Sequence, residues 1–200
     1  VQAFGKIPYR LGKEIDLYSV SAHKIGGSRG AAGLIRKKSL ALHPLIYGGG
    51  QEKGLRSGTE NLFAVKQFEY AAAKKYAEID SSLKKISEYN RCFRDNLLPE
   101  IFTILSAPHA SPYILSVSAK GLRGEVLVHM LDDAGVVVGT GSACSSKNRY
   151  SRVILACGAE EKIADGVLRI SFSAENTMNE ARQAVEILNR CAQQLAEKMR

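Results

Sequence analysis

Val65, Phe68, Ala72, Tyr76, Ile79, Leu83, Ile86, Tyr89, Phe93 and Leu97 follow one another at intervals of three or four residues. Such positions share one face only when about 3.6 residues complete a turn, so this stretch is predicted to be helical from residue 61 to 98. Ser57 and Glu60 have capping-box spacing at its start, and Pro99 ends it. Unbroken, at about 1.5 Å per residue it would reach on the order of 55 Å; Asp80-Ser81-Ser82 is where a break is expected. A helix that long links two bodies, and the chain has a different texture on either side of it.

Before the helix, residues 15–22 alternate in character and read as a strand ending at His23-Lys24. Gly26, Gly27 and Gly30 punctuate the next residues, and Ala32–Ile35 reads as the returning partner strand. Beyond Pro99, predicted strands (101–105, 113–117, 136–138, 168–172) alternate with predicted helices (125–133, 150–157, 179–199), as in a small α+β unit. The expected organisation is therefore 1–60, a linking helix 61–98 and a small domain 99–200. With 200 residues, 45% of them hydrophobic, the chain has enough apolar matter for a packed core, and no apolar run reaches the roughly 20 residues of a membrane-spanning helix.

The net charge of +8 is dispersed, with Arg36-Lys37-Lys38 the densest run, and no aromatic residues interleave with it. Direct nucleic-acid binding is therefore not expected. Cys92, Cys144, Cys157 and Cys191 form no CxxC and no metal-ligand spacing, so no metal site is expected. Such cysteine usage suits a reducing compartment, and the expected location is cytoplasmic.

Three clusters carry chemistry. Ser21-Ala22-His23-Lys24 stands at a strand end before a glycine-rich turn; a lysine there, beside a hydroxyl and an imidazole, suits a phosphate-bearing aldehyde cofactor, or is simply a solvated charge. Gly48 to Asn61 (GGGQEKGLRSGTEN) runs into a helix N-terminus, a natural anion site, or is a linker whose hydroxyls cap the helix. Cys144 lies among small residues in Gly139-Thr140-Gly141-Ser142-Ala143-Cys144-Ser145-Ser146 and is a reactive thiol or an incidental surface one.

Taken in order with Leu168-Arg169-Ile170-Ser171-Phe172, these motifs resemble the cysteine desulfurases with the long cysteine loop, pyridoxal-phosphate enzymes of the class V aminotransferase type. The resemblance runs from Gln2 to the last helix. It implies an α/β architecture: the C-terminal part of the large domain of a fold-type I pyridoxal-phosphate enzyme, a long linking helix, and a small α+β domain. It implies that Lys24 carries the cofactor and moves protons at the substrate α-carbon. Ser21 and His23 are implied to hold its phosphate, Gln2 its phenolic oxygen, and Thr59 the phosphate of a neighbouring subunit in a homodimer with shared sites. Arg169 is implied to bind the carboxylate of L-cysteine, and Cys144 to take its sulfur as a persulfide for an acceptor or iron–sulfur scaffold protein, or for thiolation of tRNA or a cofactor.

Members of that group are about twice as long, so the resemblance makes this chain the C-terminal half, expected to turn over little alone. An aspartate partner of the cofactor ring is expected two residues ahead of Val1. A selenocysteine lyase, a related class V aminotransferase and a non-catalytic sulfur carrier are the alternative readings.

Overall fold

The computed structural model describes residues 1–140, 150 and 152–199. The chain divides into two compact units, Val1–Ser82 and Leu83–Arg200. In the first unit, β1 (Leu17–Ser21) pairs antiparallel with β2 (Ala32–Arg36), in register from Leu17 opposite Arg36 to Ser21 opposite Ala32. The predicted strand and its return are thus present. Gly33 makes room between them, since a β-carbon there would lie 3.1 Å from Val20 Cγ2.

Helix α1 (Leu62–Ala77) covers this hairpin with Ala64, which is buried with Ala22 and Ala31 against Phe68. Phe4, in the turn that opens the chain, meets Phe68 and Tyr76 edge-on, with ring centres 5.9 and 5.4 Å apart. The predicted linking helix is two helices, α1 and α2 (Ile79–Asn96), with the break at Glu78, two residues before the expected place. Its start also differs from the prediction. Asn61 is the N-cap, accepting a hydrogen bond from the Ala64 N–H, while Ser57 is buried in the preceding loop. The apolar stripe is buried only in its later half: Ile86, Tyr89, Phe93 and Leu97 are core, but Val65 and Tyr76 are exposed.

The second unit is an antiparallel sheet of three strands in the order β3-β4-β5: β3 (Phe102–Ile104), β4 (Ile114–Ala119) and β5 (Val167–Ser171). Helices α3 (Gly124–Asp133) and α6 (Met178–Lys198) pack with the later turns of α2 on its core, where Leu115, Val117, Leu127, Leu131, Leu168 and Leu188 are almost wholly enclosed. Two short helices, α4 (Arg152–Ala156) and α5 (Glu161–Asp165), lead into β5. The sequence did not indicate α5, and residues 136–138, expected as a strand, form no ladder; the adjoining Gly139 makes a single antiparallel bridge to Arg169.

Polar groups tie the periphery to this core. Arg94 donates from Nε to Asn90 Oδ1 and from Nη2 to the Ser106 carbonyl, and Asn90 donates to the Pro112 carbonyl, fixing the β3–β4 connection onto α2. The buried Ser118 hydroxyl donates to the Ile163 carbonyl at 2.7 Å, which satisfies the hydroxyl and seats α5.

Candidate functional site

β1 ends at Ser21 and turns directly into a single 3-10 turn, Ala22–Lys24. That turn is clamped through Ala22, which is fully buried: its N–H donates to the Ala31 carbonyl, and its own carbonyl accepts from Ile25 and Gly27. Gly27 is needed for this closure, because a β-carbon there would meet the Ala22 methyl at 3.0 Å and its carbonyl oxygen at 3.2 Å. The anchor is rigid while the flanking side chains are uncommitted. Ser21 is the N-cap residue of the turn but its hydroxyl makes no capping bond, and His23 and Lys24 are exposed. No carboxylate or hydrogen-bond acceptor engages the Lys24 ammonium among the described residues. Four residues after Lys24 in the chain, Ser28 Oγ is buried with no hydrogen-bond partner among the described residues, the mark of a polar group awaiting one.

The turn at the start of the chain adds a second cation. Lys6 donates to Gln2 Oε1 at 3.3 Å. Burial pushes the Lys6 pKa down, and the charges of Lys24 and Lys75 push it further the same way. The adjacent Gly5 explains the crowding: a β-carbon there would lie 3.1 Å from Lys75 Cβ and 3.2 Å from Ile25 Cγ2, so this turn is wedged between α1 and the residue after Lys24. Gln2, Lys6 and Lys24 thus form one neighbourhood. Lys6 was not singled out in the sequence, although its spacing of four from Gln2 is the signal that could have found it.

The glycine-rich segment folds back on itself. Ser57 N–H donates to the Ile46 carbonyl, and Gly58 N–H donates to Gln51 Oε1, both at 3.1 Å. Between these closures Glu52 and Lys53 have φ of 51° and 58°, a left-handed conformation costing a side-chain-bearing residue on the order of 1–2 kcal/mol. The loop is therefore held in a set shape by its ends. Thr59 follows it on the surface, two residues before the Asn61 cap.

In the second unit Arg169 occupies the middle of β5, half-buried, opposite Ser116 on one side and Gly139 on the other. Arg169 and Gly139 exchange both backbone hydrogen bonds, at 2.6 and 3.1 Å. Among the described residues the guanidinium makes no ion pair or side-chain hydrogen bond, and a planar fork of donors is the shape that suits a carboxylate. Cys144, expected as the nucleophile, lies outside the described residues. Among those described, Cys92, Cys157 and Cys191 are free thiols and no group of metal-ligating side chains assembles. Burial raises the Cys191 thiol pKa, which the nearby Arg190 charge partly offsets, so Cys191 is a packing residue.

Residues 1–183 match the family model for class-V aminotransferases. The chain belongs to that family. Among class-V aminotransferases it is 40% identical to the NifS/IcsS protein homolog of Lactobacillus delbrueckii subsp. bulgaricus, over 90% of this chain and 49% of that one. It is 32% identical to the cysteine desulfurase IscS of Methanosarcina thermophila, over 98% of this chain and 49% of that one. A solved NifS-like protein superposes with a TM-score of 0.87 at 32% identity, covering 98% of this chain and 51% of the other. The NifS-like protein of Rickettsia africae gives 0.84 at 29% identity, with 98% and 52% covered. The chain spans about half the length of the curated relatives it matches. No helix among the described residues is long and apolar enough to cross a membrane.

Class-V aminotransferases of this kind use pyridoxal phosphate. The residues present fit that group: an amine with no carboxylate partner among the described residues, a hydroxyl and an imidazole within three residues of it at the same strand end, an orphaned buried hydroxyl four residues further along the chain, and a second ammonium whose charge is felt there. A phosphate-bearing aldehyde offers what this collection lacks, namely anionic oxygens and a carbon that an amine can hold.

Proposed function

We propose that the protein carrying this chain is a cysteine desulfurase, transferring sulfur from L-cysteine to Cys144 and releasing L-alanine. One observation carries the reading. The Lys24 amine stands exposed, with no partner among the described residues, on a turn whose backbone is locked and which also carries Ser21 and His23. The cysteine desulfurases among the relatives support the substrate.

Each residue has a stated task. Lys24 holds the cofactor and moves a proton at the substrate α-carbon; Ser21 and His23 bind the phosphate; Gln2, steadied by Lys6, bonds the phenolic oxygen. Arg169 grips the substrate carboxylate with its fork. When bound, the cofactor supplies the electron sink that protein side chains lack. The Cys144 thiolate attacks the substrate sulfur: the carbon–sulfur bond breaks, a sulfur–sulfur bond forms, and cysteine plus thiol become alanine plus persulfide with no outside oxidant. Residues 1–60 then end the cofactor domain, 61–98 connect, and 99–200 form the small domain bearing Cys144.

A homodimer with shared sites accompanies this reading, with Thr59 reaching a neighbouring subunit's phosphate. Its support is that large apolar side chains on either side of Thr59 in sequence, Leu45, Tyr47, Leu62 and Phe63, are exposed in the first unit. Delivery of the persulfide sulfur to an acceptor or iron–sulfur scaffold protein follows from the chemistry, since a persulfide is useful only once passed on. Three free thiols among the described residues favour a reducing compartment such as the cytoplasm.

The test is the intact protein reconstituted with pyridoxal phosphate and L-cysteine. Lys24→Ala is expected to abolish the absorbance of lysine-bound cofactor. Cys144→Ala is expected to keep that absorbance and lose sulfur release. Lysine-type absorbance surviving Lys24→Ala, or sulfur release surviving Cys144→Ala, overturns the assignment.

A further inference from the structure

Gly139 opens the motif that contains Cys144 and pairs with Arg169 through two reciprocal backbone hydrogen bonds. Residues directly opposite in an antiparallel pair project to the same side, so the Arg169 side chain and the place where a Gly139 side chain would stand share one face. There the guanidinium lies across the glycine. A β-carbon on Gly139 would come within 3.3 Å of Arg169 Nη2, 3.7 Å of Cζ and 3.8 Å of Nε. The backbone at Gly139 is not in the left-handed region, so conformation alone does not demand glycine here. What the absent side chain provides is a seat for the guanidinium.

We propose that Gly139 is a positioning residue: it seats the Arg169 guanidinium at the orientation in which its fork receives the substrate carboxylate. This rests on the reading of Arg169 given above and deepens it. A guanidinium on a long flexible arm loses rotamer freedom when it binds, and a preformed seat lowers that cost. The backbone pair fixes the seat to β5 itself, so the fork and its support move together. A methyl group at 139 displaces the near edge of the guanidinium by a few tenths of an ångström, and a branched side chain displaces it further.

The experiment uses the intact, cofactor-loaded protein and two probes, L-alanine and ethylamine, which share an amine and differ by the carboxylate. Affinities are read from the change each produces in cofactor absorbance. In Gly139→Ala the preference for L-alanine over ethylamine is expected to fall about fivefold, the scale of a weakened charged hydrogen bond, and in Gly139→Val further. Ethylamine affinity is expected to stay unchanged, and KM for L-cysteine to rise more than kcat falls. Should Gly139→Val fail to fold, Gly139→Ala carries the test alone.

Equal loss of both probes would mean that Gly139 merely supports the fold, and the proposal is wrong. An unchanged preference in Gly139→Ala overturns it as well. Arg169→Ala separates the two layers. If it removes the preference while Gly139→Ala does not, the seat is refuted and the role of Arg169 stands; if Arg169→Ala leaves the preference intact, both fall.

Discussion

A β-carbon on Gly166 would lie 2.2 Å from the Ala119 carbonyl oxygen and 3.0 Å from that of Leu122. Both obstacles are backbone and cannot swing aside, and Ala119 N–H donates to the Gly166 carbonyl at 2.9 Å, so the two segments cannot part. Gly166→Ala is accordingly expected to destabilise the second unit by about 3 kcal/mol, read as a lower urea midpoint. Gly124, with its β-carbon position 2.8 Å from the Val167 carbonyl oxygen, is a second such close approach. Thiols offer a different single-residue test. In a Cys144→Ala background, iodoacetamide is expected to modify the exposed Cys157 first, Cys92 later, and the buried Cys191 only when denaturant is present. The raised Cys191 pKa also has a sign. Above its ordinary value near 9.0, the unfolded thiol ionises while the folded one keeps its proton, so stability falls as pH rises through that window. Cys191→Ala is expected to flatten that alkaline slope in unfolding titrations.

Among the elements, α6 has the fullest start: Thr177 accepts from the Glu180 N–H, and Glu180 Oε2 accepts from the Thr177 N–H at 2.7 Å. Thr177→Ala is expected to cost about 1 kcal/mol, measurable as a lower thermal midpoint, with Glu180→Ala costing less. The same box was expected ahead of α1 from Ser57 and Glu60, where the chain instead draws Ser57 into the closure with Ile46 and caps with Asn61. A short spacing motif names candidates for a cap; tertiary closure decides which is used. Strands β1 and β2 were legible because alternation and glycine punctuation are local. Helix α5 was not, since its five residues are fewer than any periodic pattern needs. The candidate site divides the same way. Ser21, His23 and Lys24 are neighbours in sequence and could be read together, whereas Gly139 meets Arg169 through a bridge between positions 30 apart, which no local pattern announces.

At the scale of the molecule, the two units differ in how much apolar surface they bury for themselves. Nineteen described residues form one continuous core in the second unit, against a cluster of three alanines in the first. Meanwhile Leu45, Leu62 and Phe63 stand 91%, 72% and 72% exposed in the first unit, apolar side chains of the kind that interfaces cover. Local opening is easiest where few apolar contacts oppose it. Hydrogen exchange on this chain is therefore expected to find β4 and α6 strongly protected, and residues 45–63 together with β1 and β2 exchanging well before them. The proposed dimer adds a sharper expectation for the intact protein: protection of 45–63 rises with protein concentration, whereas that of β4 and α6 does not. Concentration-independent exchange at 45–63, measured across the range in which the protein passes from monomer to dimer by sedimentation, would place the dimer contact elsewhere and remove the structural support for Thr59 acting across subunits.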